Sequence, residues 1–220
     1  YLDNAATSFP KPNDVLNKMV RDYARYGVSP GRGSYDLAVT AAEKVWQTRS
    51  KLASFFNAPE PERVVFASNA TDALNLGIQG MLKPGDHVIS TQLEHNSVLR
   101  PLHHLQQRLG ISCSLVPFSG EGFIDPDDVA AAIRPETRLV VVNHASNVLG
   151  TVQPAAEIGR LCAQRGIHLI LDVSQSAGAV PIRMREWEAS GLAFTGHKSL
   201  LGPPGIGGIV IDPALDVRPS

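Results

Sequence analysis

An α/β fold with a mostly parallel central sheet flanked by helices is the architecture this sequence predicts, and three observations carry it. Short runs rich in Val, Ile and Leu alternate with longer amphipathic stretches along the chain, the order expected of βα units. Those runs show little polar alternation, as strands do when helices cover both faces of their sheet. Polar or glycine-rich segments follow them directly, and ligands of open α/β sheets bind beyond the carboxyl ends of the strands.

Taken in chain order, an amphipathic stretch at 13–26 reads as the first helix and a longer one at 34–56 as the second. Between them lies SPGRGSY, where Gly31 and Gly33 flank Arg32; it reads as an interface or active-site element, or as a plain flexible loop. RVVFA at 63–67 is the first strand, and SNATDALNL after it opens a helix over 71–82. Ser68 and Asn69 suit the cap of that helix, and Ala70 and Thr71 would present N–H groups at its first turn. Such orphan donors at the positive end of a helix suit a phosphate, although capping alone also explains the residues.

HVIST at 87–91 is the second strand, and QLEHNSVLRPL leads into a helix over 97–109. His95 then lies near the working edge of the sheet, where an imidazole stacks on an aromatic ligand, moves a proton, or simply starts a helix. A strand SLVPF at 114–118, a short helix over 127–133 and a strand RLVVVN at 138–143 follow. HASNVLGT comes next, in which Asn147 offers either an amide to a ligand oxygen or ordinary turn chemistry. A helix over 155–165 leads to HLILDV at 168–173, and Asp172 ends that apolar run. A carboxylate placed there needs a cation or a set of donors: a protonated ring nitrogen serves, and so does an arginine. Gln175 reaches the same ligand if the chain turns back at the strand end.

LAFT at 192–195 runs into GHKSLLGPPGIGG and the last strand, GIVI at 208–211. Thr195 and His197 are donors. Lys198 reads either as a solvated surface charge or as a nucleophilic amine, its pKa lowered by desolvation or neighbouring charge so that it forms a Schiff base. One βα crossover fits between Asp172 and Lys198, which lets both reach the same end of neighbouring strands. Gly205, Gly207 and Gly208 precede a strand instead of linking a strand to a helix, and GxxxxGK[ST] is absent, so dinucleotide and P-loop binding lack their context. His103 and His104 are adjacent, about 100° apart on a helix, and cannot share a metal-ligating face.

With 220 residues, 43% of them hydrophobic, the chain can bury a core and does not read as disordered. A formal net charge of -1 gives no global reason to expect nucleic acid or an anionic membrane, so a small substrate is expected. Cys113 and Cys162 lie far apart without a CxxC, which points away from a zinc ribbon or disulfide framework and towards a reducing cytoplasm. The opening lacks the order of a secretory signal and no apolar run is long enough to cross a bilayer. The start without Met and the end at DPALDVRPS read as the N-terminal part of a longer chain, with 1–30 as an arm and helix.

In their order and spacing, YLDNAATSFPKP, PGRGSYDLA, SNATDALNL, LEHNSVLRPL, HASNVLGT, LDVSQSAG and FTGHKSLLGPPGIGG resemble the class V aminotransferase family of pyridoxal-phosphate enzymes. Within it they look like the cysteine desulfurase and selenocysteine lyase branch. The resemblance implies the type I fold of pyridoxal-phosphate-dependent transferases, with 1–220 as the cofactor-binding large domain and the C-terminal small domain not included. It implies that Lys198 holds pyridoxal 5'-phosphate as a Schiff base, that Asp172 keeps the pyridine nitrogen protonated, and that His95 stacks on the ring; these three carry the catalysis. Gln175 and Asn147 would hydrogen-bond the phenolate oxygen, while Ala70, Thr71, Thr195 and His197 would bind the phosphate.

The implied reaction removes sulfur from cysteine, or selenium from selenocysteine, to leave alanine. The implied setting is a homodimer with a sulfur-acceptor protein as a further partner. Transamination or another side-chain cleavage would use the same cofactor residues, and a non-catalytic subunit that kept the fold is the rival outside enzymes. The nucleophilic cysteine and the carboxylate-binding arginine of the family are expected beyond residue 220. Neither Cys113 nor Cys162 occupies a matching position, and both read as core residues.

Overall fold

The computed structural model describes residues 1–215, 217 and 218. Its helices are α1 (Asn13–Tyr26), α2 (Asp36–Phe55), α3 (Ala70–Met81), α4 (Asn96–Leu109), α5 (Pro126–Ala131) and α6 (Ala155–Gln164). The strands are β1 (Val64–Ala67), β2 (His87–Thr91), β3 (Ser112–Val116), β4 (Thr137–Asn143), β5 (His168–Asp172), β6 (Gly191–Thr195) and β7 (Gly207–Ile211). They form one sheet in the order β1-β7-β6-β5-β4-β2-β3. Neighbours from β3 to β6 are parallel, whereas β7 is antiparallel to both β6 and β1. Two reversals cancel, so β1 points the same way as the parallel set.

Apolar residues on both sides of the sheet explain why the strand runs lack polar alternation. In β4 and β5, Leu139, Val141 and Ile170 pack with Leu74 and Ile78 of α3 and with Val98, Leu102 and Leu105 of α4. The intervening Val140, Val142, Leu169 and Leu171 face the other way, towards Phe56, Val129, Ile158 and Cys162. Each fully buried aliphatic side chain of this kind contributes about 1.5–3 kcal/mol, so the strand centres fix the register and leave the strand ends free for polar residues.

Several departures from the sequence-based expectation have local causes. The third strand lies two residues earlier than 114–118, because Pro117 has no N–H for the ladder and Val116 closes it by accepting from Gln92 N–H at 3.0 Å. The helix expected over 127–133 starts at Pro126, with Asp125 accepting from Asp127 N–H at 2.9 Å, and ends at Ala131. A 3-10 turn at Pro61–Arg63 precedes β1. The crossover from β5 to β6 carries no α-helix: a left-handed Gly178 and Pro181 interrupt it, and the connection runs through successive turns. β5 and β6 nevertheless lie side by side in parallel, which sets Asp172 opposite Ala193.

Candidate active site

The carboxyl ends of β1, β2, β4, β5 and β6 open on one cavity of about 440 Å³. Every one of Ala70, Thr71, His95, Asn147, Asp172, Gln175, Thr195, His197 and Lys198 lines it, so the topology gathers nine residues from five segments spread over most of the sequence. Arg32 lies elsewhere, on an exposed loop that does not reach the cavity.

Each strand end delivers its residue for a local reason. After β1, Asn69 rather than Ser68 caps α3, its Oδ1 accepting from Asp72 N–H at 2.8 Å. Ala70 and Thr71 then occupy the first turn, where N–H groups have no intrahelical acceptor. A Cβ on Gly207 would lie 2.6 Å from the Asn69 carbonyl carbon and 2.7 Å from Phe194 O, so β7 needs glycine there for the start of α3 to sit against it. After β2, His95 caps α4: Ser97 N–H donates to its Nδ1 at 3.1 Å. That bond requires a lone pair on Nδ1, and the neutral ring therefore carries its proton on Nε2.

Asp172, 7% exposed, accepts from Ser174 N–H at 2.9 Å. No arginine pairs with it among the described residues. Gln175 donates from Nε2 to Ala5 O at 2.9 Å, which ties the N-terminal arm to the cavity wall. Asn147 lies exposed in the loop after β4. Burial pushes the Lys198 ammonium below the usual lysine range, and the nearby Asp172 carboxylate pulls in the opposite direction. The surface-charge reading of Lys198 thus gives way to a half-buried amine beside a buried carboxylate. Burial, then the positive Lys198 and Lys11, lowers the pKa of His197.

Sequence reasoning assigned no role to Asp3, Ala5, Ala6, Ser97, Asn143, Ala145 or Ser174, which also line the cavity. Asn143 had a usable signal: it ends an apolar run just as Asp172 does, and the two are register partners on β4 and β5. The arm residues had none, since nothing local says where a terminal segment of turns will dock. Behind the wall, Glu94 Oε1 accepts from Thr91 Oγ1 at 2.7 Å and Asn143 N–H at 2.9 Å. Burial raises its pKa to about 8 against those two hydrogen bonds, and Asp172 adds to the rise.

Thr195 Oγ1, Ser174 Oγ and Asn143 Oδ1 are buried at this cavity without a hydrogen-bond partner among the described residues. Unpaired buried polar atoms are costly. Two hydroxyls, a helix N-terminus, an imidazole and a half-buried amine as donors, with a buried carboxylate as acceptor, fit a flat, phosphorylated, nitrogen-containing ring. Cys113 and Cys162 lie elsewhere, with their thiols pushed up to about 11 and about 12 by burial. Cys162 is in the core as expected, whereas Cys113, on β3, is only half-buried.

Comparison with known proteins agrees with this architecture. The family described as Aminotransferase class-V matches residues 1–219. A probable cysteine desulfurase of Methanothermobacter thermautotrophicus is 38% identical over 208 residues, covering 94% of this chain and 51% of that protein. Its counterpart in Pyrococcus abyssi is 35% identical, covering 96% and 53%. Among solved structures, the apo cysteine desulfurase from Thermococcus onnurineus NA1 superposes with a TM-score of 0.91 at 34% identity, covering 97% of this chain and 53% of that one. SspA in complex with cysteine gives 0.92 at 29% identity, covering 100% and 63%. The chain spans about half the length of the curated relatives it matches.

Proposed function

The chain belongs to the class-V aminotransferase family, and from that premise we propose that it is the cofactor-binding part of a pyridoxal-phosphate-dependent cysteine desulfurase. One observation carries the reading: Lys198 and Asp172, at the ends of adjacent parallel strands, line one cavity with His95, and Asp172 has no arginine partner among the described residues. Relatives named probable cysteine desulfurase and a structural neighbour solved with cysteine support the substrate class.

Pyridoxal phosphate, when bound, supplies an electron sink for bond cleavage on an amino acid. Lys198 offers the amine that holds it, kept easier to deprotonate than a surface lysine by its burial. Asp172 would keep a proton on the ring nitrogen by pairing a buried carboxylate with it. His95 would stack against the ring and, with Nδ1 engaged by Ser97, would present Nε2–H. Ala70 and Thr71 N–H groups, Thr195 and His197 would hold the phosphate, and Asn147 and Gln175 would direct amides to the phenolate oxygen.

Cysteine is the substrate in this reading, with alanine as product and sulfur passed to an acceptor protein. The protein acts as a cytoplasmic homodimer; α1, which has no buried residue and exposes Leu16, Met19, Val20 and Tyr23, offers apolar surface for contact. Neither Cys113 nor Cys162 takes the sulfur, since at neutral pH both remain thiols.

The test is an absorption spectrum followed by turnover. The full-length protein, purified and supplied with pyridoxal phosphate, is expected to show a visible band and to release alanine and sulfide from L-cysteine. A band without either product would remove desulfuration and leave the cofactor; no band would remove both.

A further inference from the structure

The N-terminal arm grips the backbone on which Lys198 stands. Ser8 N–H donates to His197 O at 3.2 Å, and the Thr7 hydroxyl donates to the same oxygen at 2.9 Å. The ammonium of Lys11 also donates to His197 O, and reaches Ser8 Oγ at 2.7 Å. Ser8 Oγ in turn donates to Lys198 O at 2.8 Å. Thr7 Oγ1 further meets His197 Nδ1 at 3.0 Å. Two successive carbonyls of the lysine loop are therefore held by a segment about 190 residues away, and Ser8 within it is buried.

A carbonyl oxygen has two lone pairs, and the gathering of a cation and several neutral donors on His197 O exceeds what turn formation needs. The loop itself supplies few constraints on that side. Leu201 N–H closes a turn on Lys198 O, and Gly202 N–H bonds Gly196 O, but neither engages the His197 carbonyl. Lys11 is partly desolvated, which lowers its pKa; a hydrogen bond from a charged group counts roughly twice a neutral one. The arm also sends Asp3, Ala5 and Ala6 into the cavity wall, with Ala5 O held by Gln175.

We propose that Lys11 is a positioning residue for Lys198: with Thr7 and Ser8 it straps the arm to the carbonyls of His197 and Lys198 and so fixes where the Lys198 amine enters the cavity. This inference rests on the reading of Lys198 as the anchoring amine. Its consequence is that cofactor capture depends on a side chain outside the cavity lining. Substituting Lys11→Met keeps the aliphatic stem and removes the cation.

Two readouts on the purified protein separate the strap from the cofactor reading. Amide hydrogen exchange, measured without cofactor, is expected to accelerate about tenfold at 196–202 in Lys11→Met while β4 and β5 stay within about twofold of wild type. The rate at which added pyridoxal phosphate builds its absorption band is expected to fall about tenfold or more, because small misplacement of a reacting group is costly. Lys11→Arg, which keeps the charge and donors, is expected to exchange and capture within about threefold of wild type. Unchanged exchange at 196–202 in Lys11→Met overturns the strap, as does acceleration spread evenly over the sheet, or an arginine variant no better than methionine. A wild-type protein that never develops the band contradicts the cofactor reading, and leaves the exchange result to judge the strap.

Discussion

Asp172 and Glu94 are two buried carboxyls at the carboxyl end of the sheet with opposite fates. Asp172 has a backbone donor and faces a cavity that suits a cation, whereas Glu94 is enclosed, its Oε2 without a partner among the described residues and its pKa raised to about 8. Asp172→Asn keeps the shape and loses the charge. The cofactor is then expected to bind, with cysteine turnover lower by a factor on the order of 10² or more; turnover within twofold of wild type would remove Asp172 from the mechanism. Glu94 acts on stability instead. The folded carboxyl keeps its proton up to about 8 while the unfolded one releases it in the ordinary carboxylate range, so the folded state loses stability as pH rises through that window. Glu94→Gln removes the loss, and the Tm advantage of the variant over wild type is expected to widen as pH rises from about 5 to about 8. A pH-independent gap contradicts the buried acid. Cys162, fully enclosed and with a thiol raised to about 12, is expected to resist iodoacetamide in the folded protein and react only on unfolding, read by mass spectrometry.

At the scale of elements, β7 and α3 depend on each other through Gly207. Gly207→Ala would drive a methyl group into the Asn69 backbone and the Phe194 carbonyl. A loss of about 1–3 kcal/mol in urea unfolding is expected, together with weaker cofactor binding, because the first turn of α3, proposed to hold the phosphate, moves with Asn69. Stability lost with unchanged cofactor affinity would show that the turn does not hold the phosphate. Elements of this kind were readable in the sequence where burial dominates: the all-apolar centres of β4 and β5 and the amphipathic stripe of α4 have one placement each. Proline chemistry shifted β3, because Pro117 ends the ladder before the apolar run ends. The helix-free crossover between β5 and β6 was harder to read, since its length fits a helix and only the turn residues around Gly178 and Pro181 argue against one.

For the whole molecule, the cavity was legible as a list of strand ends and illegible as a closed surface. Polar residues after apolar runs gave Thr71, His95, Asn147, Asp172, Thr195 and Lys198, since a parallel sheet brings its carboxyl ends to one side. The arm's docking at the cavity was missed because Asp3, Ala5 and Ala6 reach it only after the chain has folded back on the lysine loop, a contact that no local pattern encodes. The chain belongs to the class-V aminotransferase family, and in the proposed reading the amine of Lys198 is where the cofactor attaches. Borohydride reduction of the protein loaded with pyridoxal phosphate, followed by peptide mass mapping, tests it most directly. The cofactor mass is expected on Lys198 and to be absent in Lys198→Ala; the same mass on another lysine, or none on any, would contradict it.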